Sequence, residues 1–247
     1  VAEYVERLGR IRSKPTVKQH LAAIRMLFDW LVTGHIVELN PAWSVRGPRH
    51  SIRRGLTPVL TAQEARALID SIDTADIAGL RDRALIGLLV YTFSRISAAL
   101  DMRVEEYYAE GKRWWVRLHE KGGKSLVMPV HHKAEEYLDA YIEAAGVAAD
   151  RRGLLFRSVG RDRRLTSRPL TRHAALRAVK RRARAAGLSA TTCCHTFRAT
   201  GITVYLENGG TLENAQVMAG HDSIRSTKLY DRTSDAVTLD EVERIVL

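Results

Sequence analysis

The most informative segment of this chain runs from residue 195 to residue 230 and reads HTFRATGITVYLENGGTLENAQVMAGHDSIRSTKLY. Four of its side chains suit chemistry on a phosphate group: His195, Arg198, His221 and Tyr230. His195 and Arg198 are three residues apart, so they share one face if the segment is helical. Arg198 offers a planar fork of donors that matches two phosphate oxygens. His221 follows a glycine, which permits a sharp turn before the next helix.

Apolar spacing on both sides of this stretch predicts a mainly helical chain. Apolar residues recur at three- and four-residue steps in segment 16–34. The sequence Thr61-Ala-Gln-Glu64 is typical of a capping box that opens a helix. We expect helices at 16–34, 61–72, 80–93, 132–146, 171–186, 196–208, 211–219, 223–230 and 239–245.

One small antiparallel sheet is expected near the middle of the chain. The β-prone runs 114–119 and 125–130 are joined by Glu120-Lys-Gly-Gly-Lys124, and glycines between two such runs predict a hairpin. Pro129 cannot donate to a sheet, which places the second strand at an edge. The predicted fold class is therefore mainly α with a small antiparallel β-sheet (α+β).

The charge of the chain is strongly uneven. Its 247 residues carry a net +11, and 45% of them are hydrophobic, as in an ordinary globular protein. Residues 151–186 hold thirteen Lys or Arg and one acid, so this segment carries +12 and the rest of the chain −1. A basic patch on a near-neutral body predicts a polyanionic partner, with nucleic acid favoured over a membrane surface. No apolar run approaches the roughly 18 residues that cross a bilayer, so no membrane partner is expected.

The residues of segment 195–230 resemble the tyrosine recombinase (phage integrase) family. That family carries a His-x-x-Arg pair, then a Gly-His, then a tyrosine nine residues beyond the second histidine. Here Arg198 and His221 are 23 residues apart, and His221 and Tyr230 are 9 apart. The resemblance covers about residues 58–247, with weaker support from 16–34.

Two upstream motifs extend the resemblance. The family has an arginine in a Tyr-Thr-Gly-x-Arg-Ile-Ser context, and this chain has Tyr91-Thr-Phe-Ser-Arg95-Ile-Ser97. About 26 residues later the family has a hairpin lysine, often in Lys-Gly-x-Lys, and this chain has Lys121-Gly-Gly-Lys124.

Two departures from the family pattern surround Arg95. The family usually has Glu or Asp three residues after this arginine, where this chain has Ala98. The family glycine two residues before it is replaced by Phe93. Either Asp101 or another acid supports Arg95, or Arg95 is held less firmly and cleavage is slower.

The resemblance implies a DNA strand-transferring enzyme in which Tyr230 attacks a DNA phosphate and forms a 3′-phosphotyrosine. Arg95 and Arg198 would stabilise the charge of the transition state. No metal and no other cofactor is expected, because the ester bond energy is conserved in the covalent intermediate and the arginines supply the positive charge.

The resemblance does not assign each of the remaining catalytic roles to a single residue. Lys121 is the expected general acid for the leaving 5′-oxygen, and Lys124 is the runner-up. His195 is expected to bind a phosphate oxygen or to take the tyrosine proton, and His221 to orient the phosphate.

The family resemblance also implies domains and partners. We expect a partial helical core-binding domain at 1–44 that is N-terminally truncated, a basic linker at 45–57 and a catalytic domain at 58–247. The expected partner is double-stranded DNA, bound through phosphate contacts, within a tetramer that passes through a Holliday junction. The expected location is the bacterial cytoplasm, at the nucleoid, and the expected function is the recombination of a mobile element. The expected DNA-binding residues are Lys18, Arg25, Lys124, Arg168 and Arg172. A C-terminal helix is expected either to dock into a neighbouring subunit or to pack within its own chain, through Leu239, Val242, Ile245 and Val246.

Three other interpretations of the sequence were considered. The first is a type IB topoisomerase-like enzyme that nicks and reseals DNA. The second is a DNA-binding relative that has lost turnover, supported by Ala98. The third is a metal-dependent nuclease, which would use His131, His132 and Glu135 or Glu136, although adjacent histidines on a helix point in different directions.

Overall fold

The computed structural model describes residues 1–50, 55–120 and 122–231, and the chain divides into two compact units, Val1–Arg53 and Arg54–Leu247. Three predicted features lie wholly or partly outside the described residues: Lys121, residues 51–54 of the linker and the helix at 239–245. Within those described ranges, no helix combines the length and the apolar character that a membrane span requires.

The smaller unit contains two helices, α1 (Ala2–Ile11) and α2 (Lys14–Thr33). Its core is formed by apolar residues from both helices and from the segment that follows them, namely Val5, Leu8, Val17, Leu21 and Ala42. The predicted helix 16–34 is therefore confirmed, and α1 was not predicted.

The larger unit is built mainly from helices. They are α3 (Ala62–Asp70), α4 (Ile77–Thr92), α5 (Ile96–Asp101), α6 (His132–Ala145), α7 (Arg172–Ala185), α8 (Cys194–Glu207), α9 (Leu212–Ala219) and α10 (Ile224–Lys228). Thr61 opens α3 with the predicted capping box, in which its side chain accepts from the backbone of Glu64 and the Glu64 carboxylate accepts from the backbone of Thr61.

The strands of the larger unit form two antiparallel sheets. The first has the order β1 (Tyr107–Glu110), β2 (Arg113–His119) and β3 (Ser125–Pro129), which confirms the predicted hairpin and the edge position of Pro129. The second pairs β4 (Arg157–Val159) with β5 (Leu165–Pro169). The fold class is confirmed as mainly α with small antiparallel β structure.

Helix α4 lies at the centre of the larger unit and packs against both α6 and α8. It is apolar on nearly every side, as expected of a helix surrounded by protein, and Leu85, Leu88 and Leu89 are almost fully buried. Its contact with α8 is unusually close at Gly201, where an added β-carbon would lie 2.1 Å from the carbonyl oxygen of Val90. This contact fixes the helix that carries two of the predicted catalytic side chains.

Four short elements were absent from the sequence prediction, and each has a physical reason. Helix α5 has six residues, which is too short for a helical period to show. Strands β4 and β5 are only partly buried and lack an apolar alternation, so the prediction of one sheet was incomplete. Strand β1 has four residues.

Candidate active site

Helix α8 carries His195 and Arg198 in its first turns, three residues apart on one helix, as their spacing predicts. His195 is partly exposed, whereas Arg198 is 1% exposed and is the largest fully buried side chain of the described chain. The two thiols that precede His195, Cys193 and Cys194, are free. At the start of α8, the imidazole of His195 therefore faces the surface and the guanidinium of Arg198 faces the interior.

The buried guanidinium of Arg198 is held by backbone carbonyls. Its Nη1 donates to the oxygen of Phe93, and its Nη2 donates to the oxygen of Ala219 at 2.6 Å. Its Nε is buried and has no hydrogen-bond partner within the described residues. A buried donor without a partner costs free energy, so this atom is suited to a ligand oxygen.

The chain turns sharply between α4 and the first arginine. Phe93 ends α4 with φ 53° and ψ 24°, the left-handed conformation that favours glycine. This conformation accounts for the family's glycine at that position. Here the Phe93 ring is buried and packs edge-on against Tyr205, which offsets the backbone cost.

Arg95 follows this turn and is supported by an acid that the sequence did not identify. Its Nη1 forms an ion pair with Glu120, whose side chain is 1% exposed. Asp101, the candidate considered from the sequence, is exposed at the end of α5. Ala98, the family's usual acid position, is buried and carries no charge.

Arg95 and Arg198 converge on one turn. The two terminal nitrogens of Arg95 lie 3.4 and 3.5 Å from the oxygen of Gly220, and Arg198 donates to the preceding carbonyl, that of Ala219. Gly220 has a φ of 56° and ends α9, which gives the sharp turn that was predicted before His221.

Tyr230 lies against the same helix and the same turn. Its hydroxyl oxygen is 2.7 Å from His195 Nε2, and its backbone oxygen accepts from Thr203 Oγ1 at 2.9 Å. Helix α8 therefore holds both ends of this tyrosine. Nothing in the sequence pattern identified Thr203, because a threonine inside a helix has no distinctive spacing.

His221 forms the other wall around the phenol. Its ring stacks parallel to that of Tyr230, with centroids 5.8 Å apart and an interplanar angle of 7°. Its Nδ1 is 2.9 Å from the hydroxyl of Thr227 in α10, which fixes the orientation of the ring. Five of the six predicted catalytic residues thus lie in one cluster, and the sixth, Lys121, is outside the described residues.

Burial and positive charge set the protonation of this cluster. Burial lowers the pKa of His195, and Arg198 and Arg95 lower it further. The same causes lower the pKa of His221 to about 4. Burial raises the pKa of Tyr230, while Arg198 and Arg95 oppose that rise. Burial and the charge of Arg95 lower the pKa of Arg198 to about 10, so the guanidinium stays charged at neutral pH. Both imidazoles are therefore neutral at pH 7, and the phenol keeps its proton.

The turn between β2 and β3 contacts the cluster through the residues at its two ends, Glu120 and Lys124. The backbone nitrogen of Glu120 donates to the oxygen of Lys124 at 2.7 Å, which closes the turn. Lys124 Nζ forms an ion pair with Asp222, the residue after His221. Both of these charged side chains are exposed, so the pair is accessible to a competing anion.

The predicted DNA-binding residues differ in their surroundings. Lys18, Arg168 and Arg172 are exposed. The guanidinium of Arg25 instead donates to the carbonyls of Ala42 at 3.2 Å and Val45 at 2.7 Å, an arrangement that stabilises the smaller unit.

The basic segment 151–186 is partly neutralised inside the fold. Arg181 and Arg182 bind the carboxylate of Asp82, which is 1% exposed and also pairs with Arg81. Arg157 pairs with Asp150. Within the described residues, no group of three or more His, Cys, Asp or Glu is placed to hold a metal ion.

Comparison with known proteins agrees with the geometry. Residues 58–236 match the model of the phage integrase family. The tyrosine recombinase XerC of Chlamydia muridarum is 30% identical over 233 residues, which cover 93% of this chain and 70% of that protein.

Solved structures share the fold at lower identity. The XerH site-specific recombinase bound to a palindromic difH substrate has a TM-score of 0.75 at 21% identity, over 93% of this chain and 67% of that one. A lambda integrase tetramer bound to a Holliday junction has a TM-score of 0.66 at 18% identity, over 96% of this chain and 65% of that one.

By its fold and its family match, this protein is one of the enzymes that transfer DNA strands in site-specific recombination. The chain belongs to the phage integrase family, whose members are the tyrosine recombinases.

Proposed function

We propose that this chain is a site-specific recombinase that cleaves and rejoins DNA through a 3′-phosphotyrosine intermediate on Tyr230. The observation that carries the proposal is the position of the Tyr230 hydroxyl, 2.7 Å from His195 Nε2 and beside two buried or half-buried arginines. A phenol, a neutral imidazole and two guanidinium groups in one cluster suit nucleophilic attack on a phosphodiester.

In the first step the Tyr230 oxygen attacks phosphorus and the 5′-oxygen of the next nucleotide leaves. The phenol keeps its proton at neutral pH, because burial raises its pKa, so a base must accept that proton. The Nε2 of His195 is at hydrogen-bond distance and its pKa is lowered, so the ring is neutral and can accept. We assign the proton-accepting role to His195.

The two arginines bind the phosphate in this mechanism. Negative charge grows on the non-bridging oxygens in the transition state, and preorganised cations stabilise it there more than in the ground state. The unpaired Nε of Arg198 and the half-exposed guanidinium of Arg95 are the donors available for those oxygens. His221, stacked on the phenol, orients the phosphate.

The leaving 5′-oxygen requires a proton, and we assign its delivery to Lys121. Lys124, the alternative, is paired with Asp222. This pair holds the Lys124 ammonium beside the turn that carries His221, and we assign Lys124 to phosphate binding. Reversal of the step by a 5′-hydroxyl from another strand completes the transfer.

DNA binding is assigned to both units, as the predicted domains 1–44 and 58–247 and the linker 45–57 imply. The exposed residues Lys18, Arg168 and Arg172 are placed for phosphate contacts in this proposal. The enzyme acts as a tetramer that passes through a Holliday junction, as the tetrameric lambda integrase structure suggests. Its substrate places it at the bacterial nucleoid, in the cytoplasm.

Subunit association is assigned to the C-terminal segment with Leu239, Val242, Ile245 and Val246. A groove of about 1020 Å³ in the larger unit offers an acceptor, and its lining includes apolar side chains of α3, α4, α8 and α9, among them Ile69, Val90, Val204 and Met218.

The proposal is tested in two stages with DNA from the gene's own locus. First, covalent adducts are trapped and their tyrosine-linked 3′ ends are mapped by sequencing. Second, a plasmid with two copies of the mapped site is incubated with the enzyme. Deletion or inversion between the sites supports recombination. Relaxation of supercoils without exchange would indicate a topoisomerase-like activity, and the absence of any adduct would overturn the proposal.

A further inference from the structure

We infer that Glu120 is the positioning residue for Arg95, and that it takes over the role of the acid that is absent at position 98. The inference deepens the proposed function, because it concerns how the phosphate-binding arginine is held. It assigns to a hairpin residue a task that the sequence pattern around Arg95 leaves unfilled.

The first observation is the burial of the Glu120 carboxylate. The side chain is 1% exposed, and an ionised carboxylate at such depth needs a charged or hydrogen-bonding partner. Its Oε2 forms an ion pair with Arg95 Nη1, and its Oε1 lies 3.4 Å from the backbone nitrogen of Arg95. One carboxylate therefore contacts both the side chain and the backbone of the same arginine.

The second observation is that the contact uses only one edge of Arg95. Glu120 occupies Nη1, while the Arg95 side chain remains 32% exposed. The opposite edge is thus free to face a ligand, apart from its long contact of 3.5 Å with the Gly220 oxygen. A carboxylate behind a guanidinium fixes its orientation, and a planar fork must be oriented to bind two phosphate oxygens.

The third observation concerns the acids near Arg95 on its own helix. Position 98 is one helical turn beyond Arg95 and holds a buried alanine. Asp101 is exposed, and no ion pair joins it to Arg95 in the described part of the chain. Glu120 is therefore the acid that compensates for Ala98.

Because the supporting acid is on the β2–β3 turn and not at position 98, the position of Arg95 depends on the hairpin. Glu120 lies between the end of β2 at His119 and Lys121, and its backbone closes the turn with Lys124. The same carboxylate also lies beside Gly220, where an added β-carbon would be 3.4 Å from Glu120 Cγ. Displacement of the hairpin would therefore release Arg95, a dependence that an acid at position 98 would not create.

The test uses single-turnover cleavage of a nicked duplex that carries the mapped site. Glu120→Gln removes the charge and keeps the shape, and it should slow cleavage on the order of 10²-fold, because a misplaced catalytic group costs about that much. DNA affinity should change less than threefold. Asp101→Asn is the matched control, since it removes the nearby exposed acid, and it should cleave at the wild-type rate.

Moving the carboxylate from position 120 to position 98 distinguishes an effect on the position of Arg95 from an effect on the stability of the fold. In the Glu120→Ala background, Ala98→Glu places a carboxylate one turn from Arg95. The double variant should cleave at least tenfold faster than Glu120→Ala. If Glu120→Gln does not fold, Glu120→Asp keeps the charge and should cleave at a rate between those of wild type and Glu120→Ala.

A second readout isolates the arginine–phosphate contact. A substrate with one non-bridging oxygen of the scissile phosphate replaced by methyl carries no charge there, so it depends less on Arg95. The defect of Glu120→Gln should shrink at least tenfold on this substrate. If the wild-type protein cleaves and Glu120→Gln cleaves equally fast, this inference is overturned and the proposed function stands. The same holds if the double variant cleaves no faster than Glu120→Ala. A wild-type protein that forms no adduct would instead remove the proposed function.

Discussion

At the scale of single residues, the proposed mechanism depends on the protonation states of His195 and Tyr230. Burial and the charges of Arg198 and Arg95 lower the pKa of the ring. The buried phenol retains its proton at neutral pH, because burial raises its pKa. At neutral pH the ring is therefore free to accept a proton, and the phenol has one to give.

A pH dependence follows from this arrangement. A base acts only in its neutral form, so cleavage should rise with pH through the lowered pKa of His195, with a midpoint below pH 6.5, the usual pKa of histidine. His195→Gln should slow single-turnover cleavage by about 10²- to 10⁴-fold and abolish that acid limb. A midpoint above 6.5, or a variant with the wild-type profile, would argue against His195 as the base.

The two arginines should contribute to catalysis rather than to binding. Arg95→Ala and Arg198→Ala should each slow cleavage by about two to three orders of magnitude at saturating DNA, because each removes charge stabilisation from the transition state. Arg184→Ala, at an exposed position on α7, serves as the control and should cleave within threefold of wild type. Equal rates for wild type and either test variant would remove the assigned role.

The sequence predicts which residues form the catalytic cluster better than it predicts the contacts that hold them in place. The three-residue spacing of His195 and Arg198 placed both on one helix, and the family resemblance added His221 and Tyr230 to the set. Neither could identify Glu120, since the contact with Arg95 joins residues 25 apart through a hairpin and a helix cap. Such contacts depend on tertiary packing, which one sequence does not encode in any local pattern.

At the scale of elements, the close contact between α4 and α8 positions the catalytic helix. Gly201 meets the backbone of Val90 and the ring of Phe93, so an added β-carbon would force the helices apart. Gly201→Ala should lower the free energy of unfolding by about 2 to 3 kcal/mol, as overpacked cores do. It should also slow cleavage, since Phe93 receives the hydrogen bond from Arg198.

A matched exchange tests whether packing is the cause. Gly9 lies in α1 with open space where a β-carbon would be. Gly9→Ala should therefore melt no earlier than wild type, because alanine favours a helix over glycine. Both variants are measured by urea unfolding and circular dichroism, and a neutral Gly201→Ala would show that the two helices separate at little cost.

Element prediction succeeded where an element has a strong local signal. The capping box at Thr61 and the glycine-rich hairpin after β2 have specific chemistry, and both were found. Helix α5 and strands β4 and β5 were missed, because short and half-exposed segments carry no apolar period.

At the scale of the whole molecule, the net charge of +11 predicts a steep dependence of DNA affinity on salt. Part of the basic segment is already paired with Asp82 and Asp150, so fewer arginines are available for DNA than the sequence suggests. The exposed arginines Arg168 and Arg172 remain available.

Replacing both exposed arginines measures their phosphate contacts. Each contact contributes about 0.9 to the slope of log affinity against log salt concentration. Arg168→Ala/Arg172→Ala should therefore reduce that slope by about 1 to 2. Lys133→Ala is the control, since Lys133 pairs with Glu136 at 2.8 Å, and it should leave the slope unchanged. An unchanged slope in the double variant would place the DNA elsewhere.

The proposed mechanism requires that Tyr230 become covalently attached to DNA. The direct measurement is mass spectrometry of the peptide–DNA adduct that forms on a nicked substrate bearing the mapped site. We expect a 3′-phosphate ester on Tyr230, and we expect Tyr230→Phe to bind the same DNA without forming an adduct. An adduct on another residue, or one that persists in Tyr230→Phe, would contradict the proposed mechanism.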